Sequence, residues 1–94
     1  HFLSMFPKAM EAVALVSEYG ERKYTYMGWA KVPDGQRRYT AALGRHLIHE
    51  VTEKYDDKDS LLPHAAQAAW NAMARLEKMI DEGDLEARRG KDID

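Results

Sequence analysis

The sequence predicts an all-α fold, a small compact bundle of three main helices with a long aromatic and basic loop, completed by oligomerisation. Three observations carry this expectation. Apolar residues recur at helical spacing in three separate stretches. Proline and glycine stand where helices begin and end. At 94 residues the chain is one domain, of a size that buries little more than ~60% of its surface on folding, so association between subunits is expected to supplement the core. Residues 1–82 are expected to form that domain, and the charged stretch 83–94 a fraying tail without an apolar stripe.

The first helix is read over residues 7–19, in "FPKAMEAVALVSEYG". Pro7 suits a first helical turn, and Gly20 suits a left-handed cap. Met10, Val13, Ala14, Leu15 and Val16 cover so much of its circumference that burial on more than one side is expected. The segment "ERKYTYMGWAKVPDGQRR" follows, with Gly28, Pro33 and Gly35 interrupting any long periodicity, although the helix could extend through Lys23 and Tyr24. A connection of this length either packs as a compact loop or serves a function. Tyr24, Tyr26 and Trp29 are then core plugs, or rings that stack on a base.

The second helix is expected over 36–55, with Tyr39, Leu43, Leu47 and Val51 repeating every four residues. Gly44 inside it costs ~1 kcal/mol relative to alanine, which suggests the close approach of another helix or a ligand. An acidic connection, "DDKDSLLP", leads to a third helix opened by Pro63, with Asp59 or Ser60 as N-cap. Leu62, Ala66, Ala69, Met73, Leu76 and Ile80 form a coiled-coil-like seam along it. His64, Gln67, Asn71 and Arg75 form a polar stripe beside that seam, either a solvated face or the wall of a site.

Composition narrows the function classes. With 45% hydrophobic and 32% charged residues the chain groups with globular proteins, and no apolar run approaches the roughly 20 residues of a membrane span. A net charge of −2 argues against extended nucleic-acid binding, while Arg37, Arg38 and Arg45 leave room for a local basic pocket. There is no cysteine, which excludes disulfides and thiolate chemistry and permits a reducing cytoplasm. The chain starts at His1 rather than at a methionine, so a trimmed segment is expected upstream.

In the second helix His46 lies three residues before His49 and four before Glu50, so the three project to neighbouring positions. Imidazole and carboxylate at this spacing suit a divalent metal or a base with its orienting partner; solvated side chains have the same spacing. Asp56, Asp57 and Asp59 offer oxygen ligands of the kind magnesium prefers, or simply a solvated acidic loop. His64 falls in the first turn of a helix, where a neutral imidazole is expected.

Taken in order, "LSMFPKAMEAVALVSEYGERKY", a tryptophan, "RH" within a helix and "D.D..LPH...A..NA" make the chain resemble the N-terminal domain family of phage and bacterial dATP/dGTP diphosphohydrolases. The resemblance runs from about Leu3 to Leu76. It implies an all-helical, intracellular, often virus-encoded protein that takes a purine deoxynucleoside triphosphate to a monophosphate and pyrophosphate with the help of magnesium. By position the signature residues are Glu18, Tyr19, Gly20, Lys23, Tyr24, Trp29, Arg45, His46, Asp57, Asp59, Pro63, His64 and Asn71. Given that resemblance, chemistry assigns Glu18, Asp57 and Asp59 to Mg²⁺, and Lys23 and Arg45 to phosphates. It assigns Tyr24 or Trp29 to the base, Asn71 to nucleotide binding, and His46 or His64 to water or phosphate.

Three positions depart from the pattern. The family usually has a glycine within "GLPH", where this chain has Leu61 or Leu62, and a second histidine three residues after the first, where it has Gln67. It tends to have asparagine before the tryptophan, where this chain has Gly28. A missing catalytic histidine would leave a protein that binds a nucleotide without cutting it. The alternative expectation is therefore a homo-oligomeric sponge that sequesters a nucleotide, including a cyclic signalling nucleotide of host antiviral defence.

Overall fold

A computed structural model describes residues 1–53 and 56–86; Lys54, Tyr55 and residues 87–94 lie outside it, and with them most of the expected tail. The described chain is helical and has no strand: α1 (Phe2–Met5), α2 (Pro7–Lys23), α3 (Gly35–Thr52) and α4 (His64–Asp81), with a 3-10 turn at Gly28–Lys31. A single antiparallel bridge joins Asp56 to Pro63. The all-α expectation holds. No described helix is long and apolar enough to cross a membrane.

Helix α2 begins at Pro7 as expected and runs past Gly20 to Lys23, where the Tyr24 N–H closes it on the Gly20 carbonyl at 2.9 Å. Gly20 is therefore an interior helical residue and not a cap. Glu21, Arg22 and Lys23 are good helix formers and carry the helix on until Thr25 and Tyr26, which favour extended backbone. The basic side chains of Arg22 and Lys23 also complement the negative end of the helix dipole.

The aromatic segment folds around the 3-10 turn. Tyr24 and Tyr26 are exposed, whereas Trp29 is half-buried, with ring centroids 6.3 Å from Trp70 and 6.5 Å from Tyr39. Tyr39 and Trp70 close the cluster at 5.7 Å, and the Tyr39 hydroxyl donates to the Trp29 carbonyl at 2.5 Å. Edge-to-face rings of this kind add to simple burial. Lys78 completes the clamp by donating to the Ala30 carbonyl at 2.8 Å. The Lys78 side chain passes close over Gly35, where a Cβ would stand 2.8 Å from Lys78 Cε and oblige that side chain to shift.

Helices α3 and α4 form an antiparallel hairpin around which the rest is arranged, and α2 packs against α4. Contacts between Thr40 and Arg75 and between His46 and His64 fix its register. Only small side chains line much of the seam: Ala66, Ala68 and Ala74 are buried together with Val16 and Tyr39. Expectation and structure differ at three places here. Tyr39 is buried, but Leu47 is 52% and Val51 86% exposed, because a four-residue repeat advances about 40° per step and has left the contact face by the second step, at about 80°. On α4, Met73 and Leu76 point outward with Ala69, so only part of the expected seam faces the fold. Gly44 has no atom within 4 Å of where a Cβ would stand, so nothing approaches it closely.

Helix α4 has Pro63 as its N-cap residue, with no side-chain cap. Asp59 and Ser60 do not cap it, because Pro63 and the bend before it hold them a turn away in a loop of their own. At its other end Gly83, at φ +83°, turns the chain in the left-handed region, and Gln36 ties that turn to α3 through Glu82 at 2.7 Å and Asp84 at 2.6 Å.

Candidate imidazole–carboxylate centre

Near the loop end of the α3–α4 hairpin two histidines meet. The Nδ1 atoms of His46 and His64 are 2.9 Å apart, so one donates a proton to the lone pair of the other. His64 is the first residue of α4 and has no exposed surface. Its other nitrogen, Nε2, stands 3.4 Å from Glu53 Oε1, near enough for attraction but not aligned as a hydrogen bond. That nitrogen has no hydrogen-bond partner among the described residues. His49 Nδ1 lies 3.6 Å from the second oxygen of Glu53 and its ring meets His64 edge-on at 5.7 Å.

Asp57 approaches from the loop. Its Oδ2 accepts hydrogen bonds from the Ser60 N–H at 2.9 Å, the Ser60 hydroxyl at 3.0 Å and the Asp59 N–H at 3.2 Å. This is an Asx-type turn, in which a short carboxylate takes the place of a backbone acceptor. Partial burial pushes the Asp57 carboxyl up, but the bonds from Ser60 and Asp59 and the nearby His46 outweigh it and leave it below the usual range. His46 is also held below its ordinary value, by partial burial first and then by His64, against the opposing pull of Asp57.

A relay of hydrogen bonds ties this loop to α4. Gln67 donates to Ser60 Oγ at 2.7 Å, and the buried Asn71 donates to the Gln67 carbonyl at 2.8 Å. The polar stripe on α4 is thus no solvated face: His64 and Asn71 are buried, Gln67 anchors the loop, and Arg75 crosses to Thr40 at 2.7 Å.

The structure brings together His46, Asp57 and His64, each with one ligand atom within 4.8 Å of the others. His49, Glu53 and His64 form a second such group that shares the same buried ring. Glu18 and Asp59 are exposed and belong to neither group, so the three carboxylates assigned to Mg²⁺ do not gather with one another. Lys23, Tyr24 and Arg45 are exposed and make no hydrogen bond or ion pair with the histidines among the described residues; Lys23 Nζ lies 5.6 Å from the Tyr24 ring centroid. Trp29 belongs to the aromatic cluster. Glu53 escaped sequence reasoning, although the His49–Glu53 spacing of one helical turn was available as a signal, and Ser60, expected only as a candidate N-cap, instead holds Asp57.

The donor sets also bear on which ion would fit. Each has two imidazoles and one carboxylate, whereas magnesium takes oxygen ligands. The protein groups do not match magnesium.

A helical domain with an imidazole–carboxylate centre at the loop end of a hairpin is the class that fold and site define. Residues 1–88 match the family model described as dATP/dGTP diphosphohydrolase, N-terminal, and the chain belongs to that family. No curated protein and no solved structure matches it.

Proposed function

We propose that this domain binds a purine deoxynucleoside triphosphate at the His46–Asp57–His64 centre and cleaves it to the monophosphate and pyrophosphate. The observation that carries the reading is that three residues from separate signature motifs, His46 of "RH", Asp57 of the acidic loop and His64 of "LPH", fall within 4.8 Å of one another. In this reading the His46–His64 pair holds a proton between its Nδ1 atoms and can pass one to or from an attacking water. Asp57, fixed by three hydrogen bonds, orients that water. Arg45 and Lys23 supply exposed cations for phosphate, and Tyr24, which is 71% exposed, supplies a free ring for the base. The protein is read as virus-encoded and as working in the host cytoplasm as a homo-oligomer. The exposed Phe2, Phe6, Ile48 and Val51 support assembly. Incubation with dATP and dGTP, with products separated by chromatography, is the test. The absence of monophosphate from every nucleoside triphosphate would remove the catalytic reading.

One observation favours a second reading, a sponge that holds a nucleotide, cyclic ones included, without cutting it. Gln67 stands where the family usually has a second histidine, and its amide is committed to Ser60. Recovery of intact nucleotide from a heat-denatured complex would support the sponge, and failure of mono-, cyclic and triphosphate nucleotides to bind would end both readings.

A further inference from the structure

We propose that the centre is a binding site for a divalent transition metal of the zinc, cobalt and nickel class, held by His46 Nδ1, His64 Nδ1 and Asp57, with Glu53 orienting His64 from behind. The proposal rests on the reading of the same centre as the nucleotide site, with a metal taking the place of the proton that the two Nδ1 atoms share without one, and it stands on four observations.

The first is the donor set, two imidazoles and a carboxylate with one atom each within 4.8 Å. Imidazole suits zinc, iron and nickel, and two histidines with one carboxylate leave coordination positions open.

The second is the spacing. Metal–nitrogen bonds of about 2.0–2.1 Å at right angles place neighbouring donors about 2.9 Å apart, and tetrahedral ones about 3.4 Å. The two Nδ1 atoms stand 2.9 Å apart, one edge of an octahedral shell and a small relaxation from a tetrahedral one.

The third is His64 itself. A fully buried ring whose Nε2 has no hydrogen-bond partner among the described residues is costly, yet that nitrogen faces Glu53 at 3.4 Å. Histidine ligands characteristically direct the nitrogen that is not bound to metal at a carboxylate, which fixes the tautomer and raises ligand basicity. A metal at Nδ1 places the remaining proton on Nε2, toward Glu53.

The fourth is Asp57. All three of its hydrogen bonds fall on Oδ2. Oδ1 accepts none among the described residues and is available as the third ligand.

Three protein ligands leave room for water or a phosphate oxygen, the arrangement of catalytic rather than structural metal sites.

The test uses the whole chain freed of metal with a chelator and then dialysed. Cobalt is added and visible ligand-field absorption recorded; zinc, nickel and magnesium are titrated by calorimetry and by shift in melting temperature. Expected are one tight zinc or cobalt site per chain and far weaker binding of magnesium. His46→Gln and Asp57→Asn, both at half-buried positions, should weaken zinc binding by on the order of a hundredfold, and Glu53→Gln by about ten- to a hundredfold. The proposal is overturned if no transition metal binds the wild-type protein, if magnesium binds as tightly as zinc, or if the variants bind zinc as the wild type does. Nucleotide binding is followed by tryptophan fluorescence with zinc and again with chelator: failure to bind in both states ends the nucleotide reading whatever the metal titrations show, so the two can fail separately.

Discussion

His46 on α3 and His64 at the start of α4 meet nitrogen to nitrogen, Nδ1 to Nδ1 at 2.9 Å, across the only buried histidine ring among the described residues. The pair tolerates one proton between its two nitrogens and not two. The His46 imidazole is held below its ordinary value by burial, then by His64, with smaller contributions from His49 and Arg45, and Asp57 opposes them. In the metal-free protein the unfolded chain therefore takes up a proton at His46 before the folded one does. Stability from this residue is complete above the ordinary histidine pKa of about 6.5 and is lost as pH falls from there through the depressed folded value. Asp57 adds a second loss at lower pH, below the usual carboxylate range, as its own depressed group protonates. Urea denaturation at a series of pH values should show the first decline in the wild type and a smaller one in His46→Gln; equal slopes would contradict the assignment.

Gly44 lies inside α3 with open space where a side chain would begin. Gly44→Ala should therefore stabilise the protein by about 1 kcal/mol, the difference in helix propensity between the two residues. A thermal melt checks this, and a lower melting temperature would mean that another surface packs against Gly44 in solution.

Leu61 adopts φ +60° although it is neither glycine nor asparagine. The left-handed region costs a branched residue roughly 1–2 kcal/mol. Leu61 is 74% exposed, so replacing it removes little buried surface. Leu61→Gly should stabilise by up to about 1 kcal/mol, once the greater freedom of an unfolded glycine is subtracted. A glycine at this position would adopt that backbone conformation without strain. Chemical denaturation of the variant would expose an error if stability fell.

Gln67 joins α4 to the loop that presents Asp57. Gln67→Ala removes that bond from a partly buried position and should cost about 1 kcal/mol. Its larger effect should be on the order of the loop, so hydrogen exchange at the Ser60 and Leu62 amides should quicken more than exchange in the middle of α4. Uniform exchange across the two would show that the loop holds itself.

Much of this was legible in the chain. Pro7 and Pro63 announced two helix starts, and the periodicities of α3 and α4 gave their extents to within a few residues. His46, His64 and Asp57 stood out by residue type and family position. What could not be read was pairing across the hairpin. Nothing in the spacing of Glu53 says that it stands behind His64, because that contact arises only when the loop folds back; the Asp57–Ser60 turn, only three residues long, was a local signal that the sequence reading did not use. Gly20 and Gly44 misled for a related reason: glycine marks a cap or a close approach only where the surroundings demand it, and here they do not.

Every group of the centre, from His46 through Glu53, Asp57, Ser60 and Gln67 to Asn71, lies on one helical hairpin and close together in sequence. Loop closure over so short a stretch costs little entropy, and short-range contacts form quickly. The order of folding events follows: the hairpin with its paired histidines assembles first, and α2 docks onto α4 afterwards. Val16, the buried residue of α2, then belongs to the late step. Val16→Ala should speed unfolding and leave the refolding rate nearly unchanged in stopped-flow measurements, whereas Tyr39→Ala should slow refolding. The second half of the chain is in that sense the nucleus of the fold as well as the bearer of its chemistry.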